Sequence, residues 1–280
     1  MTSDSDEARA LQPPFIPIDG LTNFRDIGGW PIPSPSSAPS SASIRVRTGI
    51  LYRGPDLTPL TPTGTSHLKS LHITTIFDLR STPQISRAGG IKQIEGISRV
   101  WCPVFGEDEY TPEKAGMRYM QYCSPGTEGI VTAFLEILSR GALPAFRPIL
   151  LHLASPSPEP CLIHCTTGNN RSGVFTGILL SLLGVSAEVV AREYALSELE
   201  LRGSREAVVE RLLGNPRFRD VVGGSRESAR RMVGARGESM LHLLGRVEGE
   251  WGGAEGWVRE VVGLSGEEIQ RVRDGLTVRM

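Results

Sequence analysis

The segment Pro160-Cys-Leu-Ile-His-Cys-Thr-Thr-Gly-Asn-Asn-Arg-Ser-Gly173 holds the residues of this chain whose types and spacing point to chemistry. An apolar run ending at His164 reads as a buried strand. Five residues separate Cys165 from Arg171, and an apolar helical pattern starts immediately afterwards. A tight loop that feeds a helix N-terminus gathers backbone N–H groups around one point and so makes an anion site. Gly168 allows the left-handed turn that such a loop needs. Arg171 can fork two hydrogen bonds onto a phosphate and keeps its charge at every relevant pH. Thr166, Thr167, Asn169 and Asn170 complete the candidate substrate-binding set. The same dipoles favour a thiolate at Cys165, because thiols in such settings fall from a pKa of about 8.5 to roughly 3.5–7.5. A thiolate beneath a cradled phosphate is an in-line nucleophile, and Ser172 is spaced to donate to the sulfur when a phosphoenzyme hydrolyses. A buried cysteine is commonly just a small apolar filler. Here the strand, the His, the Gly, the Ser and the helix around it together favour the chemical reading.

The elements that must position this loop follow from the apolar pattern. Residues 22–28, 50–53, 73–80 and 98–104 read as strands before the strand Cys161–His164. Helical patterns cover 112–123, 127–140, 171–183, 187–199, 204–213, 238–247 and 256–262. A final helix opens at a Ser265-x-x-Glu268 capping box and carries Ile269, Val272 and Leu276 on one face. Residues 214–237 are rich in Arg and Gly and fit no single pattern; a solvated helical face suits the arginines of 217–236, with a basic lip on the substrate side as the other reading. The expected class is α/β: a central, mostly parallel sheet flanked by helices, with a helical C-terminal half. Residues 1–14 read as a disordered arm and 15–280 as a single domain. Low-complexity residues 31–43 and Pro-rich residues 141–159 read as insertions.

Composition narrows the function classes. At 280 residues, with 39% hydrophobic and 22% charged, the chain is globular. A formal charge of −1, with only Lys69, Lys92 and Lys114 as lysines, argues against a general nucleic-acid or anionic-membrane binder. Four cysteines are too few for a disulfide scaffold. Cys161 and Cys165 are too far apart along an extended strand to bridge, and Cys102 and Cys123 read as core. His67, His72, His152 and His242 have no partners at ligand spacing, so neither a metal nor another cofactor is expected. The acidic N-terminus is no signal peptide, and the apolar run 174–185 is shorter than the roughly 20 residues of a membrane span. A reducing, cytoplasmic setting is the expectation.

The loop resembles the His-Cys-x5-Arg-Ser/Thr signature of cysteine-dependent phosphatases. Asn23-Phe-Arg-Asp-Ile-Gly-Gly29, Leu51-Tyr-Arg-Gly54 and Phe77-Asp-Leu-Arg-Ser81 precede it in that order. Together they resemble the atypical tyrosine-protein phosphatase family of bacteria and fungi, over about residues 15–278. The resemblance implies a cysteine-phosphatase type of α/β fold with these strand ends around the loop, and Arg25, Arg53 and His164 as supporting residues. The family loop usually reads His-Cys-x-x-Gly-Lys-Asp-Arg-Thr-Gly; Asn169 and Asn170 stand in place of the Lys and Asp. Gln84 stands where a Glu is usual, three residues after Ser81. Losing the loop cation disfavours multiply charged head groups and leans the reading toward a singly phosphorylated substrate.

A phosphatase also needs an acid for the leaving group. Similarity to dual-specificity phosphatases places it on the loop Phe105-Gly-Glu-Asp-Glu109, with Asp108 first and Glu107 and Glu109 close behind. Asp78, at a strand end, is the rival, unless it is spent in a buried salt bridge to Arg25, Arg53 or Arg80. Asp26 reads as the residue that fixes the Gly28-Gly29 bend. The expected activity is hydrolysis of a phosphate monoester on a phosphotyrosyl protein, a lipid or a small molecule. One alternative is a silent phosphate-binding adaptor, motivated by Asn169, Asn170 and Gln84. Another is sulfur or arsenate transfer, against which Arg171-Ser172 and the 23–29 motif argue.

Overall fold

The computed structural model describes residues 14–33 and 43–280. Nearly all of the expected N-terminal arm, and residues 34–42 of the first expected insertion, lie outside the described residues. Five strands form the central sheet in the order β1 (Arg25–Asp26), β4 (Leu51–Gly54), β7 (Cys161–His164), β5 (Thr75–Asp78), β6 (Ser98–Trp101). Only β1 runs antiparallel to its neighbour; β4, β7, β5 and β6 pair in parallel. The sheet is thus mostly parallel, as the α/β pattern implies. The register brings Gly54, His164 and Asp78 to the same rung, so these strand ends meet where the Cys165 loop begins.

Alternation along the strands divides the interior into two layers. Leu51, Phe77, Cys161 and Ile163 enter the main core, while Tyr52, Ile76 and Leu162 point to a smaller cluster on the other face with Phe24, Leu60 and Leu68. Helix α1 (Pro62–Ser70) covers that second face. Its N-cap is Thr61, whose hydroxyl accepts from the Gly64 N–H at 3.0 Å, and Pro62 starts the first turn, where its missing N–H costs nothing. Short helix α2 (Thr82–Arg87) follows β5. Helix α3 (Pro112–Cys123) starts on the same device, with Thr111 as cap and Pro112 in the first turn.

The second expected insertion is largely helical. Residues 142–153 continue α4 (Glu128–Gly141) through a π-helical turn, Ala142–Phe146, into α5 (Arg147–Leu153). The Arg147 N–H reaches back to the Ala142 carbonyl. The wide turn accommodates Pro144, and Pro148 sits in the first turn of α5, so both lack an N–H where the ladder does not need one. Ala145, Phe146, Ile149, Leu150 and Leu153 are fully buried in the main core. By length and composition, Glu128–Leu153 is one helix apolar enough to cross a membrane; here it packs against the sheet domain's own helices.

The C-terminal half is helical: α6 (Asn170–Leu182), α7 (Ala187–Ala195), α8 (Ser197–Gly214), α9 (Pro216–Val222), α10 (Arg226–Val233), α11 (Gly237–Trp251), α12 (Ala254–Trp257) and α13 (Gly266–Leu276). The Arg- and Gly-rich stretch left without a pattern is α9 and α10. They close a satellite cluster of Cys123, Val209, Phe218 and Ala229 against α3 and α8. The expected capping box opens α13: Ser265 Oγ accepts from the Glu268 N–H at 3.2 Å, and Glu268 returns the contact at 2.8 Å. A second sheet, antiparallel throughout, joins β2 (Pro31–Ile32), β3 (Ile44–Val46) and β8 (Thr277–Arg279).

Candidate active site

The loop after β7 has its carbonyl oxygens turned outward and occupied. His164 Nδ1 lies 3.3 Å from the Cys165 oxygen. The Asp56 N–H donates to the Thr166 oxygen at 3.1 Å and the Asn23 amide to the Thr167 oxygen at 2.9 Å. Arg53 Nη2 takes both the Gly168 and Asn169 oxygens, at 2.6 and 2.9 Å. With the carbonyls held away, the amides face inward, and the Gly168 and Ser172 N–H groups point at the Cys165 sulfur. Gly168 has φ +69°, and a Cβ there would stand 2.7 Å from the Gly54 carbonyl carbon, so the turn and the close approach both require glycine.

Cys165 is fully buried beneath this cup, with Ser172 Oγ 3.6 Å from its Sγ. Burial works against ionisation, but the Arg171 charge and the hydrogen bonds from Ser172 and Gly168 outweigh it and hold the thiol below its ordinary value. The other thiols go the opposite way: burial pushes Cys102 up to about 12 and Cys123 up to about 11. Cys161 is raised for the same reason. All four cysteines are free. Asn170 accepts from the Tyr194 hydroxyl at 3.0 Å, and Asn169 donates to the Gly234 carbonyl at 3.4 Å.

Behind the loop, Arg25 and Arg53 both pair with Glu193 of α7 at 2.7 Å, with every side chain in the set buried. Burial and then repulsion from Arg53 lower Arg25 to about 10, against the pull of Glu193. Glu193 is held below its ordinary value because the two guanidiniums overcome its burial. Arg25 also reaches Asn23 and the Ser197 hydroxyl. The 23–29 motif and the Arg53 strand end thus converge on one buried charge cluster that props the loop. Asp26 accepts from the Gly28 and Gly49 N–H groups at 2.7 Å each and fixes the bend, as the sequence suggests. Glu193 is a residue that sequence reasoning missed. Its signal was a carboxylate between Val190 and Tyr194 on the buried face of α7.

The acid candidates part company. Asp78 is withdrawn as a proton donor: it is fully buried and bonded to Arg80 at 2.9 Å and Arg99 at 2.7 Å, with His164 Nε2 at 3.5 Å. Burial would raise it, but these partners overcome that and hold it well below the carboxylate range, so it carries no proton at neutral pH. Its partners are Arg80 and Arg99 rather than Arg25 or Arg53. Asp108 lies on the 3₁₀ turn Glu107–Tyr110 with its side chain 80% exposed and Lys114 at 3.8 Å. Glu109 is nearly buried and paired with Lys114 at 2.8 Å.

Cys165 and Arg171 open into a cleft of about 290 Å³ walled by Phe105, Tyr110, Tyr119, Tyr122, Thr167 and Asn170. Among the described residues no carboxylate lines it, but four guanidiniums do: Arg87 from α2, Arg118 from α3, Arg171 from α6 and Arg217 from α9. Arg118 stacks on Phe105 and Tyr110 at 4.6 and 5.2 Å, and its buried Nη2 has no partner among the described residues. The neutral loop therefore does not make a weakly charged cup, because the cations arrive from distant helices. A larger cleft of about 680 Å³, walled by Phe15, Pro17, Thr63 and His67, contains neither Cys165 nor Arg171.

A strand, an amide-lined loop and a helix around a buried, acidified thiol define an α/β protein with a cysteine loop. More narrowly, the chain belongs to the tyrosine phosphatase family, whose model matches residues 16–278. It is also 32% identical over 114 residues to a tyrosine-protein phosphatase from Nostoc commune. That match covers 39% of this chain and 36% of the relative's length.

Proposed function

We propose that this protein hydrolyses phosphate monoesters through a phosphocysteine at Cys165. The observation that carries the reading is the loop whose carbonyls are all engaged outward while its amides and Arg171 surround an acidified thiol. Cys165 Sγ attacks phosphorus in line, the S–P bond forms as the ester P–O bond breaks, and the loop amides and Arg171 hold the equatorial oxygens. The leaving oxygen needs a proton when it is a poor leaving group, and Asp108, which with Glu107 is an exposed carboxylate on the turn whose Tyr110 borders the cleft, is the donor. Water then attacks the phosphocysteine, releasing phosphate, and the Ser172 hydroxyl stabilises the departing thiolate. The family and the name of the Nostoc relative favour a phosphotyrosyl protein, with small-molecule or lipid monophosphates as the other substrates of the same chemistry. A thiolate nucleophile also fits a reducing, cytoplasmic setting.

Hydrolysis of an aryl phosphate from pH 5 to 8, without added metal and with reductant, tests the reading. Wild type turns over, and Cys165→Ser loses turnover while still binding vanadate. A wild type that binds vanadate without turnover would replace the enzyme with a phosphate-binding adaptor, the reading that Asn169 and Asn170 motivate. Unchanged activity in Cys165→Ser would end the cysteine mechanism.

A further inference from the structure

Gln84 closes the first turn of α2 and borders the cleft. Its Oε1 accepts from the Ser81 N–H at 3.2 Å and the Ser81 hydroxyl at 3.3 Å, and the same oxygen accepts from Arg171 Nη1. The remaining anchors of that guanidinium are the Leu79 carbonyl at 3.3 Å and Thr166 Oγ1 at 3.0 Å. Arg171 is 9% exposed, yet every oxygen holding it is neutral and it pairs with no carboxylate among the described residues. A buried arginine is ordinarily matched by a carboxylate. This one keeps its full charge for the cleft.

We propose that Gln84 is a positioning residue for Arg171: its amide fixes the guanidinium at the loop without cancelling its charge, tying α2 to the phosphate cup. The inference rests on the phosphatase reading above and accounts for Gln at a position where the family pattern has Glu. A glutamate would make the same contact but add a negative charge beside the arginine that draws the thiolate and the phosphate. The groups facing Cys165 are Arg171 and Ser172 of α6, Arg80 at the end of β5, and the Tyr122 hydroxyl of α3. Of the charged groups among them, only Arg171 touches residue 84.

The experiment compares wild type, Gln84→Glu, Gln84→Met and Ser81→Ala. It reads the pH dependence of Cys165 alkylation by uncharged iodoacetamide, followed by mass spectrometry, and the Kd for vanadate. Gln84→Glu shifts the alkylation midpoint up by about 1 unit or more, since an opposite charge at contact distance offsets Arg171. Gln84→Met leaves that midpoint in place and weakens vanadate about tenfold, the cost of one lost charged hydrogen bond. Ser81→Ala removes the hydroxyl bond to Gln84 Oε1 but leaves the Ser81 N–H and Arg171 contacts of that oxygen, and keeps both values near wild type. A Gln84→Glu curve that overlays wild type overturns the inference. So does a Ser81→Ala protein that reproduces the Gln84→Met loss. If wild type turns over no phosphate ester while the vanadate and alkylation pattern appears as stated, the phosphatase reading fails and the Gln84 assignment stands.

Discussion

Asp78 and Asp108 are both aspartates, yet Arg80, Arg99 and His164 fix the first as a buried anion while the second stands in solvent, two residues from Tyr110 of the cleft wall. Asp108→Asn is expected to lower kcat for alkyl phosphates by about 10²–10⁴. It should barely affect aryl phosphates with acidic leaving groups; equal losses on both would mean that Asp108 is not the acid. Arg118 makes a second residue-scale case. Its Nη2, unpartnered in a cleft that no carboxylate lines among the described residues, suits another oxyanion of the substrate. Arg118→Met should weaken binding of an aryl phosphate bearing a second anionic group by about 1.5–3 kcal/mol, more than it weakens the singly anionic analogue. KM measured on the matched pair decides this, and parallel changes would count against a second anion contact.

Two strands, a helix and the loop are joined through Glu193. Replacing it with Gln leaves two buried guanidiniums short of their counter-charge, and the expected cost is about 3–5 kcal/mol of stability. Urea unfolding measures that loss, and phosphate affinity should fall with it because Arg53 also holds the Gly168 and Asn169 carbonyls. The elements around the loop were legible in the sequence because their signals are local. Cys161–Ile163 and the helix Asn170–Leu182 are mostly apolar, and α3 and α13 announce themselves by Thr-Pro and by a capping box. The helix at 142–153 was hidden for a local reason as well: Pro144 and Pro148 look like breakers until the π-helical turn accommodates them. What no local signal held were contacts made across the fold. Glu193 lies 140 residues from Arg53, and Gln84 lies 87 from Arg171. The cleft's cations come from four separate helices.

At the scale of the molecule, acid should destabilise the fold in a defined window. Burial lowers His164 to about 4 from an ordinary 6.5, although Asp78 pulls the other way. Unfolded chains therefore bind more protons than folded ones between those values. The contribution is complete above pH 6.5 and declines as pH drops toward 4, on the order of 3 kcal/mol in all. Asp78, also depressed, adds its share above its unfolded value near 4 and loses it below. Urea midpoints at pH 7.5 and 5 should differ in that direction, and His164→Asn should flatten the difference; a midpoint independent of pH would contradict the burial argument.

The three-stranded sheet has a mechanical consequence. β8 lies antiparallel to β3, with Arg279 opposite Ile44 and Thr277 opposite Val46, and the Met280 N–H still holds the Ser43 carbonyl. A force applied at the C-terminus loads these bonds one after another, as a zip is opened, and not all together in shear. An unfolding motor gripping that end would peel β8 and then draw on α13, reaching the sheet that bears the Cys165 loop only after both had come away.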